Sequence, residues 1–377
     1  MPDIKEVILN TDRLLTDDYQ VNIGPQHPST HGVLRLLVTL EGEIVLNVQP
    51  HVGYIHSGIE KMCESLSYTQ IIHLTDRMDY LSAHHNNEAV CLCVENALRV
   101  EIPDRVKYIR TIIDELTRLA SHQLWWCTMG MDLGALTTFF YGLRDREKIL
   151  DIFEETCGAR LTVSYNVPGG LMFDIHPNFQ KSVKEFISYF RKKLPEYDDL
   201  LSNNVIFRNR TENIGHLSLA DAIDYGVTGP SARASGFSCD IRKHQPYSAY
   251  PMIKFNEILD TRGDSFARYE ARIKEMHESL YVIEQLIDNI PEGDYAVKMK
   301  GVIKLPEGEF YQRVESARGE FGVFIVSDSK KNPYRVKFRS PGFSNLFALN
   351  KMAKGLKIAD LVAIMTTLDL VIPDIDR

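Results

Sequence analysis

Two imidazoles, His27 and His31, stand four residues apart in Gly24–Arg35, which reads G-P-Q-H-P-S-T-H-G-V-L-R. Imidazoles suit metal ligation or proton transfer at neutral pH. On a helix this spacing would put both rings on one face. Pro25, Pro28 and Gly32 argue against a helix, because proline restricts itself and the residue before it and Gly32 marks a bend. The stretch reads as a stiff loop that delivers imidazoles to the mouth of a strand-like run, Val33–Leu40. A turn with two solvated histidines is the plain alternative. Two later polar clusters weigh against it: Arg77–His85 (R-M-D-Y-L-S-A-H-H) and Met131-Asp132-Leu133-Gly134.

Several elements must position these groups. Val33–Leu40 and Glu43–Gln49 alternate around Glu41-Gly42, a hairpin signal. Gly58–Ser65 reads as a short helix. Helical periodicity holds from Thr69 to Thr156, over Asn86–Val100, Asp104–Leu124 and Asp145–Thr156. In Asp104–Leu124, Val106, Ile109, Ile113, Leu116 and Ala120 recur at three- and four-residue steps, with Asp104 as N-cap after Pro103. Trp125 and Trp126 read as core or partner-facing. Pro168-Gly169-Gly170 is a sharp turn, and Pro177–Leu201 a charged amphipathic helix. Ser202–Pro251 reads as irregular with one short helix, opened by Ser218 and Asp221. Gly263–Ile290 is a long helix. Strands follow between Ala296 and Phe338, then helices over Ser344–Met352 and Ile358–Leu368. The fold class is α+β, mostly α, with β elements near the N-terminus and in the C-terminal part, around one core. The domain reading is an extension over 1–20, a β-hairpin region with the histidine loop over 21–66, a helical core over 67–292 and an α/β region over 293–377.

Composition narrows the function. The 377 residues are 44% hydrophobic and 25% charged, as in a globular protein. A net charge of −8 without a long basic run excludes nucleic acid as the expected partner. The six cysteines contain no C-x-x-C, so neither a disulfide framework nor a thiolate metal site is expected, and the compartment reads as reducing. No apolar run reaches the roughly 18–20 residues of a membrane span. No targeting segment is visible, and no glycine-rich phosphate loop occurs.

The order of longer motifs is more specific. G-P-Q-H-P-S-T-H-G-V-L-R, D-R-M-D-Y, D-L-G-A-L-T-T-F-F-Y-G-L-R-D-R-E, V-T-G-P-S-A-R-A-S-G, S-A-R-G-E-F-G and the ending D-I-D-R resemble the hydrogenase-like, quinone-binding subunit of respiratory complex I, the D subunit in bacterial naming. The resemblance runs from about Val21 to Arg377. That family is in turn similar to the large subunit of nickel–iron hydrogenases, which implies a helical core of that type. Where hydrogenases carry metal-binding cysteines, this chain has Asp79 and Ser82, then Val371 and Asp374. Without thiolates soft metals lose their ligands, so the resemblance implies that the cavity serves a quinone, ubiquinone or menaquinone.

The resemblance further implies a catalytic subunit of a proton-translocating NADH:quinone oxidoreductase. Tyr80 and His31 would bond and protonate the two quinone carbonyls, and Asp132 would orient His31. A phenol of pKa about 10 stays neutral until it donates, and an imidazole near about 6.5 donates or accepts at physiological pH. His27, Gly32 and Thr128 are further quinone-contact candidates; His84 and His85 read as structural. No cofactor is held by this chain alone. An iron–sulfur cluster in the neighbouring small B subunit would supply electrons, with the C and I subunits and the membrane-embedded H subunit as further partners. The implied location is peripheral, on the cytoplasmic side of the bacterial inner membrane. The alternative is a related complex using a donor other than NADH. Arg233 and Arg318 read as charges at subunit contacts. Thr162 or Val163, and Val167, stand where many relatives carry a histidine and an arginine. The absence of that pair implies a cluster that is harder to reduce and less pH-dependent.

Overall fold

The computed structural model describes residues 18–30, 32–299 and 301–377, without the Pro28 side chain. Tyr19–Ile23 (β1), Arg35–Glu41 (β2) and Ile44–His51 (β3) form an antiparallel sheet in that order, with Val21 opposite Val38 and Val38 opposite Val48. The expected hairpin is β2–β3. The strand β1 is an addition to the sequence reading. Leu36, Val38 and Leu40 alternate inward, as a half-buried sheet requires.

The helices Ile59–Cys63 (α1), Tyr68–Thr75 (α2), Ala83–Leu98 (α3), Asp104–Asp132 (α4) and Leu136–Cys157 (α5) follow. Helix α4 is the axis of the molecule. Its 29 residues rise roughly 43 Å, and it packs against α3, α5 and the later helices α11 and α14. Asp104 is not the cap. Pro103 takes that place with extended backbone, and Asp104 opens the first turn, where its carboxylate accepts from Lys107 Nζ at 2.7 Å. The helix runs beyond Leu124 because it is buried on every side: Arg110, Asp114, Glu115, Arg118 and His122 are as inaccessible as its aliphatic residues. Trp126 lies in the core, stacked on Tyr197 with ring centroids 3.8 Å apart.

The two-residue strands Asn166–Val167 (β4) and Gly170–Leu171 (β5) flank the expected turn, and Phe179–Tyr197 (α6) is the amphipathic helix. The region after it holds more than one helix: Val205–Asn209 (α7), Leu219–Asp224 (α8), Gly229–Arg233 (α9) and Ile241–His244 (α10). Ser218 caps α8, its Oγ accepting from Asp221 N at 3.1 Å. Ser265–Ile287 (α11) precedes a meander of Gly308–Ser316 (β6), Gly319–Ser327 (β7) and Arg335–Arg339 (β8). Pro341–Phe347 (α12), Leu349–Ala353 (α13), Ile358–Leu368 (α14) and Ile372–Asp376 (α15) complete the chain.

Buried apolar side chains form two clusters, where the sequence suggested one. The larger joins α2–α6, α11 and the β6–β8 sheet. The smaller packs the N-terminal sheet against α12–α15. The histidine loop and α14 meet at this smaller core.

Candidate functional site

The loop is built by its own polar groups. Thr30 Oγ1 donates to His27 O at 2.7 Å and to Gly32 O at 3.0 Å, closing a turn over Pro28–Thr30. His27 is exposed, and its Nδ1 accepts from Ser29 N at 3.2 Å, so its ring shapes the loop. The turn packs on α14. Gly32 has φ 137°, and a Cβ there would come within 3.1 Å of Ile372 Cγ1; only glycine fits both the dihedral and the gap without strain. His31 lies outside the described residues.

Asp132 ends α4, and its Oδ2 accepts from Thr366 Oγ1 of α14 at 3.0 Å. The backbone of Thr366 also accepts from Trp125 Nε1 at 2.8 Å, which fixes α14 to α4. Thr128, one turn earlier, returns its hydroxyl to Leu124 O and Trp125 O, both at 3.0 Å.

Tyr80 occupies the turn between α2 and α3 and is 36% exposed, while both neighbouring polar residues are buried and held. Asp79 meets Arg318 Nη1 at 2.8 Å, and Ser82 Oγ accepts from the same nitrogen at 3.3 Å. Tyr80 thereby stands at a narrow crevice of about 20 Å³ shared with His84, Ala120, Arg146 and Val163. Burial pushes Arg146 below the usual guanidinium range, and its Nε donates to Ala120 O at 3.2 Å. Arg146 was missed in the sequence reading, although it lies in the L-R-D-R-E motif.

Two of the positions matching hydrogenase cysteines, Asp79 and Ser82, meet on one guanidinium. Arg318 is 1% exposed; its Nε donates to Asp369 O at 2.9 Å, its Nη2 to Asp369 Oδ1 at 3.0 Å, and its Nη1 also to Ser121 Oγ at 3.1 Å. Asp369 ends α14 at φ 54°, the left-handed region, which turns both its acceptors toward Arg318. Gly229 lets this happen: a Cβ there would lie 2.4 Å from Arg318 O. Asp374 follows in α15, bonded by Ser340 Oγ. Burial, then the nearby charge of Asp79, raises its carboxyl to about 7. Among the described residues, no group of three His, Cys, Asp or Glu gathers as a metal site.

Arg318 and Arg233 are therefore not subunit-contact charges. Arg233 is wholly buried, binding Glu275 Oε1 and, at 2.6 Å, Glu315 Oε1. The expected loss of a cation near Val167 is also qualified. Arg110 Nη2 donates to Val167 O and Gly170 O, both at 2.9 Å, though Glu95 at 2.8 Å balances its charge. His84 and His85 are buried. Desolvation pushes His84 down to about 3, so it is neutral at pH 7.

Known proteins share this sequence and this fold. The family described as the respiratory-chain NADH dehydrogenase, 49 Kd subunit, matches residues 132–303 and 295–377. The chain is 57% identical over 361 residues to the C/D subunit of NADH-quinone oxidoreductase from Bacteroides thetaiotaomicron, covering 96% of this chain and 68% of that protein. It is 46% identical over 362 residues to the D subunit of NADH-quinone oxidoreductase from Bacillus mycoides, covering 96% and 99%. A chain in the structure of the membrane-bound sulfane sulfur reductase, an archaeal respiratory membrane complex, superposes with a TM-score of 0.92 at 33% identity, covering 96% and 99%. Among the described residues, no helix is long and apolar enough to cross a membrane. The chain belongs to the 49 kDa subunit family of the respiratory NADH dehydrogenase, as a subunit of an NADH-quinone oxidoreductase.

Proposed function

We propose that this subunit walls the quinone-reduction chamber of a proton-translocating complex, together with a cluster-bearing neighbour. Quinone becomes quinol by taking up two electrons and two protons. The electrons come from an iron–sulfur carrier in the adjacent subunit, one at a time. Tyr80 gives its phenolic proton to one reduced quinone oxygen, and His31 serves the other with Asp132 as its orienting carboxylate. The observation that carries this reading is Tyr80 itself: a partly exposed phenol between two anchored neighbours, at a crevice shared with Arg146 and His84. The small B subunit, the C and I subunits and the membrane-embedded H subunit are the partners in this reading, with the assembly on the cytoplasmic face of the inner membrane.

A second reading is a related complex with another donor or acceptor. The structural relative named a sulfane sulfur reductase favours it, because one fold hosts different chemistries. A Tyr80→Phe substitution in the assembled complex decides. The expected result is quinone reduction slowed about 10²-fold, as for loss of a proton donor, with NADH oxidation by an artificial acceptor unchanged. Undiminished quinone reduction would overturn the assignment of Tyr80.

A further inference from the structure

A phenol that gives up a proton must be refilled, and the crevice at Tyr80 is narrow. On its far side α3 and α4 carry buried polar groups that the site has not used. Both ring nitrogens of His84 and of His85 are buried without a protein donor or acceptor, and the Asp114 and Glu88 carboxyls face each other as a buried pair. Buried polar atoms without a partner are uncommon, and water is the usual remedy. The crevice volume of about 20 Å³ suits one water molecule.

These groups form a line. His84 borders the crevice with Tyr80. Glu88 is four residues further along α3, on the same face, with Cβ atoms about 6 Å apart. Asp114 of α4 faces Glu88, and Thr117, one turn beyond it, again borders the crevice. At the other end Ser248 Oγ donates to Glu88 Oε1. Ser248 is a non-glycine residue at φ 47°, an uncommon backbone that aims this hydroxyl inward. It also lines an open groove of about 860 Å³ with Glu95, Asn96, Lys107 and Gln312. These residues therefore stand between the solvent groove at Ser248 and the crevice that Tyr80 borders.

We propose that Ser248, the Glu88–Asp114 carboxyl pair and His84 conduct protons from the groove to Tyr80. The inference rests on the proposed role of Tyr80. When the Tyr80 O–H bond breaks and a quinone O–H bond forms, the phenolate takes a proton from water in the crevice. His84 restores that water by donating from one ring nitrogen and accepting at the other, so it stays neutral overall. The carboxyl pair supplies His84 and is recharged from solvent through Ser248. No electrons move in these steps. Burial and the adjacent charge of Glu88 push the Asp114 carboxyl well above the usual carboxylate range, and two facing carboxyls favour sharing one proton. Glu115, Arg118, Arg110, Cys91, Tyr247 and Tyr250 are further titratable groups facing the pair. Glu88 and His84 are positioning and relay residues, acting through Tyr80 rather than on the quinone.

The test uses Glu88→Gln in the assembled membrane complex. It keeps the acceptor for Ser248 and removes the exchangeable carboxyl proton. Quinone reduction at saturating quinone is expected to fall at least about tenfold, with a larger solvent deuterium isotope effect and the same KM. Glu88→Asp is expected to recover part of the rate. Glu88→Gln with the parental rate and isotope effect would overturn the relay. Ser248→Ala, at the groove, covers the case in which Glu88→Gln does not assemble: a slower rate with the larger isotope effect supports the relay, and no change in either overturns it. Tyr80→Phe separates the two ideas. If Tyr80→Phe is slow and the Glu88 and Ser248 variants are normal, only the relay fails. If Tyr80→Phe is normal, the site reading fails first.

Discussion

Two buried polar clusters flank the crevice, and they are built on opposite rules. In the first, every nitrogen of the Arg318 guanidinium has an acceptor, from Asp79, Ser82, Ser121 or Asp369. In the second, the ring nitrogens of His84 and His85 have no protein partner, and Asp114 meets another carboxyl, Glu88. A closed set of charge-assisted bonds holds a turn rigid. An open set leaves acceptors and donors for mobile protons. The first cluster anchors the backbone on either side of Tyr80, and the second lies behind it. In the proposed relay the closed cluster positions Tyr80, while proton handling falls to the open one.

The sharpest way to break this contrast is Arg318→Met. It leaves Asp79 and Asp369 buried without their cation, and urea unfolding of the purified chain should show a loss of about 3–5 kcal/mol. A loss under about 1 kcal/mol would mean the cluster is not closed by charge. Asp374 is the loose end of the same cluster, with Oδ1 unpartnered by protein. Its folded carboxyl at about 7 is raised from 3.8. The native state therefore binds the extra proton. Its contribution to stability is fully present below about pH 4 and is lost as pH rises toward 7, roughly 4 kcal/mol in all. Asp374→Asn should match the parent near pH 4 and exceed it in stability near pH 8. Equal pH profiles would refute the raised carboxyl.

The smallest effect is expected in the open cluster. Burial and the charge of Glu88 push the Asp114 carboxyl well above its usual range, so Asp114→Asn, which keeps the shape of the neutral acid, should shift stability by less than about 1 kcal/mol. A cost equal to that of Arg318→Met would erase the distinction between the two clusters.

What could be read from the chain divides along the same line. Regular elements were legible where periodicity was local: the β2–β3 hairpin and α14 at Ile358–Leu368 stand where expected. The reading faltered where burial overrides pattern. The polar positions of α4 look like a solvated face, yet they are buried, and Glu115, Arg118 and His122 bond Arg242, Ser316 O and Glu275 far along the chain. The strand β1 and the short helices α7, α9, α10 and α15 were too brief to impose a period. The roles of Tyr80, His31 and Asp132 came from motif order rather than from spacing. The Arg318–Asp79 pair joins residues 239 positions apart, and no local signal marks it.

The N-terminal sheet rests on Leu361, Ile364, Ile372 and Ile375, near the other end of the chain. Gly53 N and Ile55 N donate to the Asp376 carboxylate, at 2.7 and 3.0 Å across 323 and 321 residues. During translation the apolar side of that sheet is only partly covered until α13–α15, residues 349–376, leave the ribosome. Until then nascent chains carry a sticky β surface, which makes this sheet the expected landing place for a chaperone and an early region to aggregate when synthesis stalls.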